Sequence, residues 1–222
     1  LYQSMKNRLE QCMKESNELE EVLAFYGKVL GAQHEAQEET PIPEIGLPEE
    51  RFKLKIEEGF PLIDAGNFLV DKDSSERLFR RLCQLSTEEN PVLASAGEAL
   101  LEALGSGRLD IAEISKAVLQ NHAETIEGYA KDLEVPLPVL QALAKLSIQP
   151  SLLATVASVP KGFELDKWRH GYCPICGGLP AIAALVGEEG KRQGLCSFCG
   201  HLWNLPRLGC PFCGNEKEED FR

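Results

Sequence analysis

Apolar residues recur at helical spacing along roughly the first 155 residues of the chain. Residues 1–38 are predicted to form one helix, in which glutamates fill one face and apolar side chains recur three or four positions apart on the other: Leu19, Val22, Leu23, Tyr26, Val29 and Leu30. Prolines and a glycine between Pro41 and Pro48 predict a loop after this helix, and residues 60–64 look like an extended link. No segment repeats at a period of about 20–50 residues, which argues against a solenoid.

Five further helices are predicted downstream. One begins near Asp73, which with Ser74 is a candidate N-cap, and a second is predicted to be capped by Asn90-Pro91 and to end at Gly105 or Gly107. The same periodicity predicts the other three helices over residues 109–121, 122–133 and 137–147. We expect their apolar faces to pack together, so the predicted fold class is mostly α, with a helical domain over residues 1–160.

The composition changes at residues 159–162. Glycine, proline, cysteine and aromatic residues become frequent there, and short extended runs replace the helical period. Residues 180–186 and 193–195 are predicted to form the two strands of a hairpin, with its turn in residues 187–190. We therefore predict a second domain over residues 161–222, a small rubredoxin-like or zinc-ribbon module.

Three Cys-x-x-Cys turns lie in this second domain, each followed by glycine. Glycine accepts the positive φ of a tight turn in which backbone amides point at the first sulfur. Two such turns supply four thiolates in a tetrahedron, which Zn²⁺ favours and rubredoxin-type iron accepts. The spacing predicts that one Zn²⁺ or Fe ion is bound by Cys173, Cys176, Cys196 and Cys199. Four thiolates fill the coordination shell, so we expect a structural ion, with a redox-active dithiol as the alternative.

The third pair, Cys210 and Cys213, is followed by no further cysteine before Arg222. We interpret it as half of a second metal site, so the second ribbon is incomplete and the chain is expected to be cut short. His201 is a weaker candidate for a substitute ligand. Cys12 and Cys83 lie in helical segments away from the pairs and are predicted to be small core residues.

Charge is distributed unevenly along the chain. Residues 1–160 carry 15 Lys and Arg against 27 Asp and Glu, whereas residues 161–222 carry eight of each. Nucleic acid is bound through clustered Lys and Arg, so a protein partner is favoured and no nucleic acid is expected. We find no continuous apolar run of about 18 residues and no export signal, so we expect a cytoplasmic protein without a membrane span. The four histidines are scattered, and phosphate loops and nucleophile elbows are missing, so no enzymatic activity is expected.

Three runs in the second domain carry a family resemblance: WRHGYCPICGGLP at 168–180, LCSFCGHLW at 195–203 and RLGCPFC at 207–213. The chain resembles the formate dehydrogenase accessory protein family, FdhE, and LAKLSIQPSLL at 143–153 is similar to that family's helix before the metal module. The resemblance implies four Cys-x-x-Cys pairs in two rubredoxin-like sites, with iron as a reported occupant; the fourth pair is absent here. It also implies a cytoplasmic maturation factor that binds the catalytic subunit of a respiratory formate dehydrogenase and assists its assembly or activation before export.

Two other functions fit parts of the sequence. A nucleic-acid-binding zinc ribbon is favoured by local cations at Lys161, Lys167, Arg169, Lys191, Arg192 and Arg207, with Phe198 and Trp203 available for stacking on bases. An iron or thiol redox protein is favoured by the pair Cys210 and Cys213. If the chain is an accessory factor, Trp203 and Arg207 are candidate partner contacts, and burial of Trp203 beneath the knuckles is the alternative.

Overall fold

The computed structural model describes residues 2–15, 17–46, 48–159, 165 and 168–215. In these residues, eight α-helices precede a three-stranded sheet. The helices are α1 (Tyr2–Glu15), α2 (Glu20–Glu39), α3 (Glu49–Glu57), α4 (Lys72–Glu89), α5 (Ala94–Gly105), α6 (Ile111–Gln120), α7 (Ala123–Asp132) and α8 (Leu137–Ala157). The strands are β1 (Pro180–Val186), β2 (Lys191–Cys196) and β3 (Leu202–Asn204). The predicted fold class, mostly helical with a small cysteine-bearing ribbon, is confirmed.

The chain forms two compact units, each built from two segments. The first unit comprises Leu1–Pro41 and Val70–Ser151, and the second comprises Ile42–Leu69 and Leu152–Arg222. The predicted division into residues 1–160 and 161–222 stays a prediction. The compact units differ from it because residues 42–69 group with the cysteine-rich segment.

The first unit is a helical bundle with one continuous apolar core. Helix α4 packs against α2 and α5, and α1 packs against α2. The core is filled by fully buried side chains from several helices, among them Phe79, Leu82, Leu100, Ile114 and Leu140. The single helix predicted over residues 1–38 is replaced by α1, which ends at Glu15, and α2, which begins at Glu20. Helix α2 joins the core through the buried Val29 and Ala32, whereas Val22 and Tyr26 are about half exposed.

Two of the predicted helix starts are corrected by the structure. Helix α4 begins at Lys72, and its N-cap is Asp71, whose Oδ1 accepts a hydrogen bond from the Ser74 amide at 2.6 Å. Asp73 therefore lies in the first turn and Ser74 donates to the cap. Asn90 accepts from the Val92 amide at 3.1 Å and so stabilises the turn that precedes α5. Both differences arise because a capping side chain is chosen by backbone geometry as well as by residue type.

Helix α8 is longer than predicted. It continues past residue 147 and through Pro150 to Ala157. Proline has no N–H, so the carbonyl of Leu146, four residues earlier, loses its helical donor. The Gln33 side chain, from α2 in the same unit, donates to that carbonyl at 2.9 Å. A long-range side-chain contact thus satisfies the group that proline leaves without a helical partner.

In the described part of the chain, α8 is also the one helix whose length and composition match those of a membrane span. Of its most apolar 18-residue window, 56% is buried inside the protein. Core helices share this composition, so α8 by itself is weak evidence of a span.

The second unit contains α3 and the sheet. Helix α3 lies between the predicted loop and the predicted link and was not predicted; it buries Phe52 and is otherwise mostly polar, so its apolar periodicity is weak. Strands β1 and β2 pair antiparallel around the turn at residues 187–190, which confirms the predicted hairpin. Strand β3, which was not predicted, pairs with the other side of β2 and places Trp203 opposite Gly194.

Candidate metal centre

The four predicted ligands of the first site lie together. The Sγ atoms of the set all lie within 4.8 Å of one another: Cys173, Cys176, Cys196 and Cys199. The Cys173–Cys199 separation is 3.7 Å, and Cys176 lies 3.4 Å from Cys196 and 3.5 Å from Cys199. In a tetrahedron with Zn–S bonds of about 2.3 Å, the sulfurs are about 3.8 Å apart. The cluster therefore has nearly the size that a four-thiolate zinc or iron site requires and can hold one ion.

Each half of the cluster is held by a backbone turn. In the first turn, the Cys173 amide donates to the Gly178 carbonyl and the Gly177 amide donates to the Cys173 carbonyl, each at 2.8 Å. In the second, the Cys196 amide donates to the His201 carbonyl at 2.9 Å. The glycine after each pair has positive φ, as predicted: +76° at Gly177, +74° at Gly200 and +67° at Gly214.

Backbone amides also point at the sulfurs. The Phe198 amide donates to Cys196, the first sulfur of its turn, at 3.4 Å. In the first turn the Gly178 amide donates to Cys176, which is the second sulfur, also at 3.4 Å. Such bonds offset thiolate charge and fix the direction of each ligand.

The four thiols affect each other's ionisation. Hydrogen bonding with Cys176 raises the pKa of Cys173, and hydrogen bonding with Cys173 raises the pKa of Cys199. Hydrogen bonding with Cys173 lowers the pKa of Cys176 and of Cys196. Four thiolates cannot share so small a volume without a cation, whereas a coordinated metal ion deprotonates its thiols outright. The donor set thus fits a cation bound by four thiolates.

A segment far away in sequence packs along the first turn, within the same unit. The Leu62 amide donates to the Pro174 carbonyl at 2.9 Å, and the Ile63 amide to the Ile175 carbonyl at 2.8 Å. The Phe68 ring meets the Phe198 ring edge to face, with centroids 5.6 Å apart. Residues 60–64, predicted as an extended link, are therefore part of the wall of the candidate metal centre. The sequence indicated this role only through the short apolar run in residues 60–64, which follows a proline-rich stretch.

Aromatic residues form a second layer beside the cluster. Trp168 is buried and its Nε1 donates to the Tyr172 carbonyl at 2.7 Å. The Tyr172 hydroxyl donates to the Gly59 carbonyl, also at 2.7 Å, and its ring stacks on His170. Trp203 is 3% exposed, and its Nε1 donates to the His170 carbonyl at 3.4 Å. Trp203 is therefore buried, which was the alternative to its prediction as a partner contact.

No family model matches the chain. It is 27% identical over 220 residues to Protein FdhE homolog of Rhizobium meliloti, an alignment that covers 98% of this chain and 67% of that protein. Protein FdhE homolog of Pseudomonas putida is 28% identical over 224 residues, with 98% and 65% covered. The crystal structure of the FdhE protein from Pseudomonas aeruginosa matches with a TM-score of 0.62 and 20% identity, over 98% of this chain and 71% of that one.

Over nearly its whole length, the chain is similar to proteins of the FdhE family. It spans about two thirds of the length of the two curated FdhE relatives that it matches almost throughout. The solved FdhE structure shares its fold.

The third cysteine pair, Cys210 and Cys213, folds as a turn of the same kind. The Cys210 amide donates to the Asn215 carbonyl at 2.8 Å, and the Gly214 amide donates to the Cys210 carbonyl at 2.9 Å, as in the first turn. Hydrogen bonds from the amides of Cys213 and Phe212 lower the pKa of Cys210. Among the described residues, these two cysteines are not grouped with further ligands, and Cys213 is exposed.

The backbone of this third turn lies directly against Gly171. A Cβ atom at Gly171 would lie 2.4 Å from the Pro211 carbonyl oxygen and 2.5 Å from its Cα. Only glycine allows this approach. The third turn is therefore packed against the segment that leads into the first one.

The remaining candidate residues have varied environments. Phe198 packs on Phe68, and Arg207 is exposed. Cys83 is fully buried, as predicted, whereas Cys12 is half-buried. His201 is outside the sulfur cluster, and burial lowers its pKa. Lys161 and Lys167, two of the cations that favoured nucleic acid, lie outside the described residues.

Proposed function

We propose that this chain is an accessory factor that binds the catalytic subunit of a formate dehydrogenase in the cytoplasm and assists its assembly or activation. The observation that carries the proposal is the likeness, over 98% of the chain, to two proteins named FdhE homolog. The proposal assigns binding to the chain and no catalytic step.

In this proposal the metal centre organises a docking unit. One Zn²⁺ or Fe ion per four cysteines would be held by the first cluster and would join its two turns. Four thiolates leave no open coordination position for substrate, which supports a structural ion. The ion would also hold in place the residue 60–64 segment, which hydrogen-bonds to the first turn.

We further propose that Cys210 and Cys213 supply half of a second metal site. Their turn has the same two backbone hydrogen bonds as the turn of Cys173 and Cys176, and this preformed geometry supports ligation. Among partner contacts, the exposed Arg207 is the stronger of the two predicted candidates. Trp203 would act indirectly by supporting the sheet beneath it.

A thiol redox role is the second candidate. It is favoured by the exposure of Cys213 and by the amide hydrogen bonds that lower the pKa of Cys210, since a thiolate is the reactive form of cysteine. Thiol–disulfide exchange at Cys210 and Cys213 would be independent of the first metal site. Reversible oxidation of Cys210 and Cys213, with the first four cysteines still metal-bound, would support it.

A pull-down with the catalytic subunit tests the proposed function. We expect the immobilised wild-type chain to retain the subunit at physiological salt and to retain little DNA or RNA. Arg207→Ala should weaken retention several-fold, whereas Arg77→Ala, a matched exposed arginine on α4, should not. Retention of nucleic acid without retention of the subunit would contradict the proposal and favour the nucleic-acid-binding alternative.

A further inference from the structure

Strand β1 has an unusual surface for a protein of this composition. All seven of its residues are apolar, Pro-Ala-Ile-Ala-Ala-Leu-Val, and only Pro180 is buried. Ile182 is 63% exposed and Leu185 is 71% exposed. The chain carries a net charge of −12, yet this strand has no charged side chain.

The apolar character continues across the sheet. Ile182 is directly opposite Leu195 on β2, and Leu195 is directly opposite Leu202 on β3. Directly opposed residues in antiparallel strands point to the same face. All three are exposed, so an apolar row crosses one face of the sheet and ends at β1.

Strand β1 is also an edge strand. The strand order is β1-β2-β3, and within the described part of the chain β1 pairs with β2 alone. The pairing is regular from Ile182 to Val186, with an irregularity between Pro180 and Ile182. An edge strand presents a row of unpaired backbone N–H and C=O groups, which proteins usually shield with charges, prolines or covering elements. From Ile182 to Val186 the edge lacks both charge and proline.

We propose that β1 is a docking edge, to which an extended, uncharged segment of a partner protein adds as a fourth strand. Backbone hydrogen bonds would supply the pairing, and alternate apolar side chains of the segment would continue the row of Ile182, Leu195 and Leu202. The identification of that partner as the formate dehydrogenase catalytic subunit rests on the proposed function.

The size of the edge favours a segment over a second copy of this chain. Five regularly paired residues span about 17 Å, and a strand edge with its side chains is about 10 Å deep. Two copies joined through this edge alone would bury on the order of 200 Å² each, far below the roughly 800 Å² per partner of a stable interface. An extended peptide can cover the edge and the apolar row together. The absence of charge on β1 selects an uncharged segment.

Lysine substitutions at the edge test this inference. Ile182→Lys combined with Ala184→Lys places two charges on the row face, since alternate residues of a strand share a face. We expect the affinity for the catalytic subunit to fall at least tenfold. Val92→Lys, at an apolar position that is 87% exposed in a turn of the first unit, is the matched control and should bind as the wild type does. Metal content and circular dichroism equal to those of the wild type establish that the double variant is folded.

Amide hydrogen exchange gives an independent measure. In the complex with the wild-type chain, those amides of residues 181–186 that point away from β2 should become protected. Equal binding by the double variant and the wild type would overturn the docking edge and leave the proposed function standing. If the wild-type chain self-associates and the double variant does not, while both bind the subunit equally, the edge binds a second copy of this chain. That result would also overturn the proposal of a docking edge for a partner segment. Failure of the wild-type chain to bind the subunit would overturn the proposed function and this partner with it.

Discussion

At the scale of single residues, the sulfur atoms of four cysteines define the chemistry of the second unit. Non-bonded Sγ–Sγ distances of 3.4–3.7 Å join cysteines of the first turn to cysteines of the second. The environment of each thiol therefore depends on the other turn. A neutral substitute at one position would remove one ligand and one negative charge. The remaining three thiolates hold Zn²⁺ or Fe less tightly.

Cys199→Ser should therefore release the metal ion. We expect the metal content, measured by mass spectrometry, to fall from one ion per chain toward zero. The core of the first unit draws on residues outside this cluster, so most of the helical circular dichroism signal should remain. Cys12→Ser, at a half-buried thiol in α1, is the control and should keep its metal. Collapse of all helical signal would contradict two separately stabilised units.

Cys83 should make stability sensitive to alkaline pH. Burial raises the pKa of this thiol from an ordinary value of 9.0 to about 12. Below pH 9 the thiol is neutral in both states; above it the thiol ionises first in the unfolded chain, so the free energy of unfolding falls until about pH 12. The loss approaches about 1.4 kcal/mol per pH unit. Cys83→Val should remove this part of the pH dependence, measured by denaturant unfolding; identical slopes would contradict it.

At the scale of elements, α8 shows how a helix can pass through proline. Leu146 loses its helical hydrogen bond because Pro150 has no N–H, and Gln33 supplies a donor from α2. Apolar periodicity predicted a helix that ends at residue 147. The compensating residue is more than a hundred positions away, where local patterns carry no information about it.

Gln33→Ala should destabilise the first unit by about 1 kcal/mol, because it removes the hydrogen bond to the partly buried Leu146 carbonyl. In a Pro150→Ala background the helix regains its own N–H donor, so Gln33→Ala should cost less. Denaturant unfolding of the four proteins in this double-mutant cycle measures the difference. Gln37→Ala, at an exposed position of the same helix, is the control. Equal costs in both backgrounds would show that Gln33 does not serve the Leu146 carbonyl.

The residue 60–64 segment should contribute directly to the stability of the metal centre. Leu62 is 2% exposed, and its amide bonds to the first cysteine turn. Leu62→Ala should cost about 2–5 kcal/mol and accelerate metal release to a chelator. Leu69→Ala, at a leucine that is 59% exposed, should change neither. Unchanged release from Leu62→Ala would mean that the segment does not support the site.

Across the whole molecule, the sequence predicted correctly those features whose determining residues lie close together along the chain. Each cysteine turn has its ligands and its glycine within five residues, and the hairpin of β1 and β2 has its turn between its strands. Helix α3, strand β3 and the wall formed by residues 60–64 depend on distant partners and were missed. Asp71 was missed as the cap of α4 because residue type alone does not distinguish it from Asp73.

Binding of the catalytic subunit by the metal-loaded chain is the decisive measurement for the proposed function. In the proposed function, the four-thiolate centre organises a unit that docks a formate dehydrogenase subunit. Titration of the subunit with the loaded wild-type chain should give saturable binding, and the Cys199→Ser chain, which lacks the ion, should bind at least tenfold more weakly. Absence of binding by the loaded chain, or equal binding by both, would contradict the account.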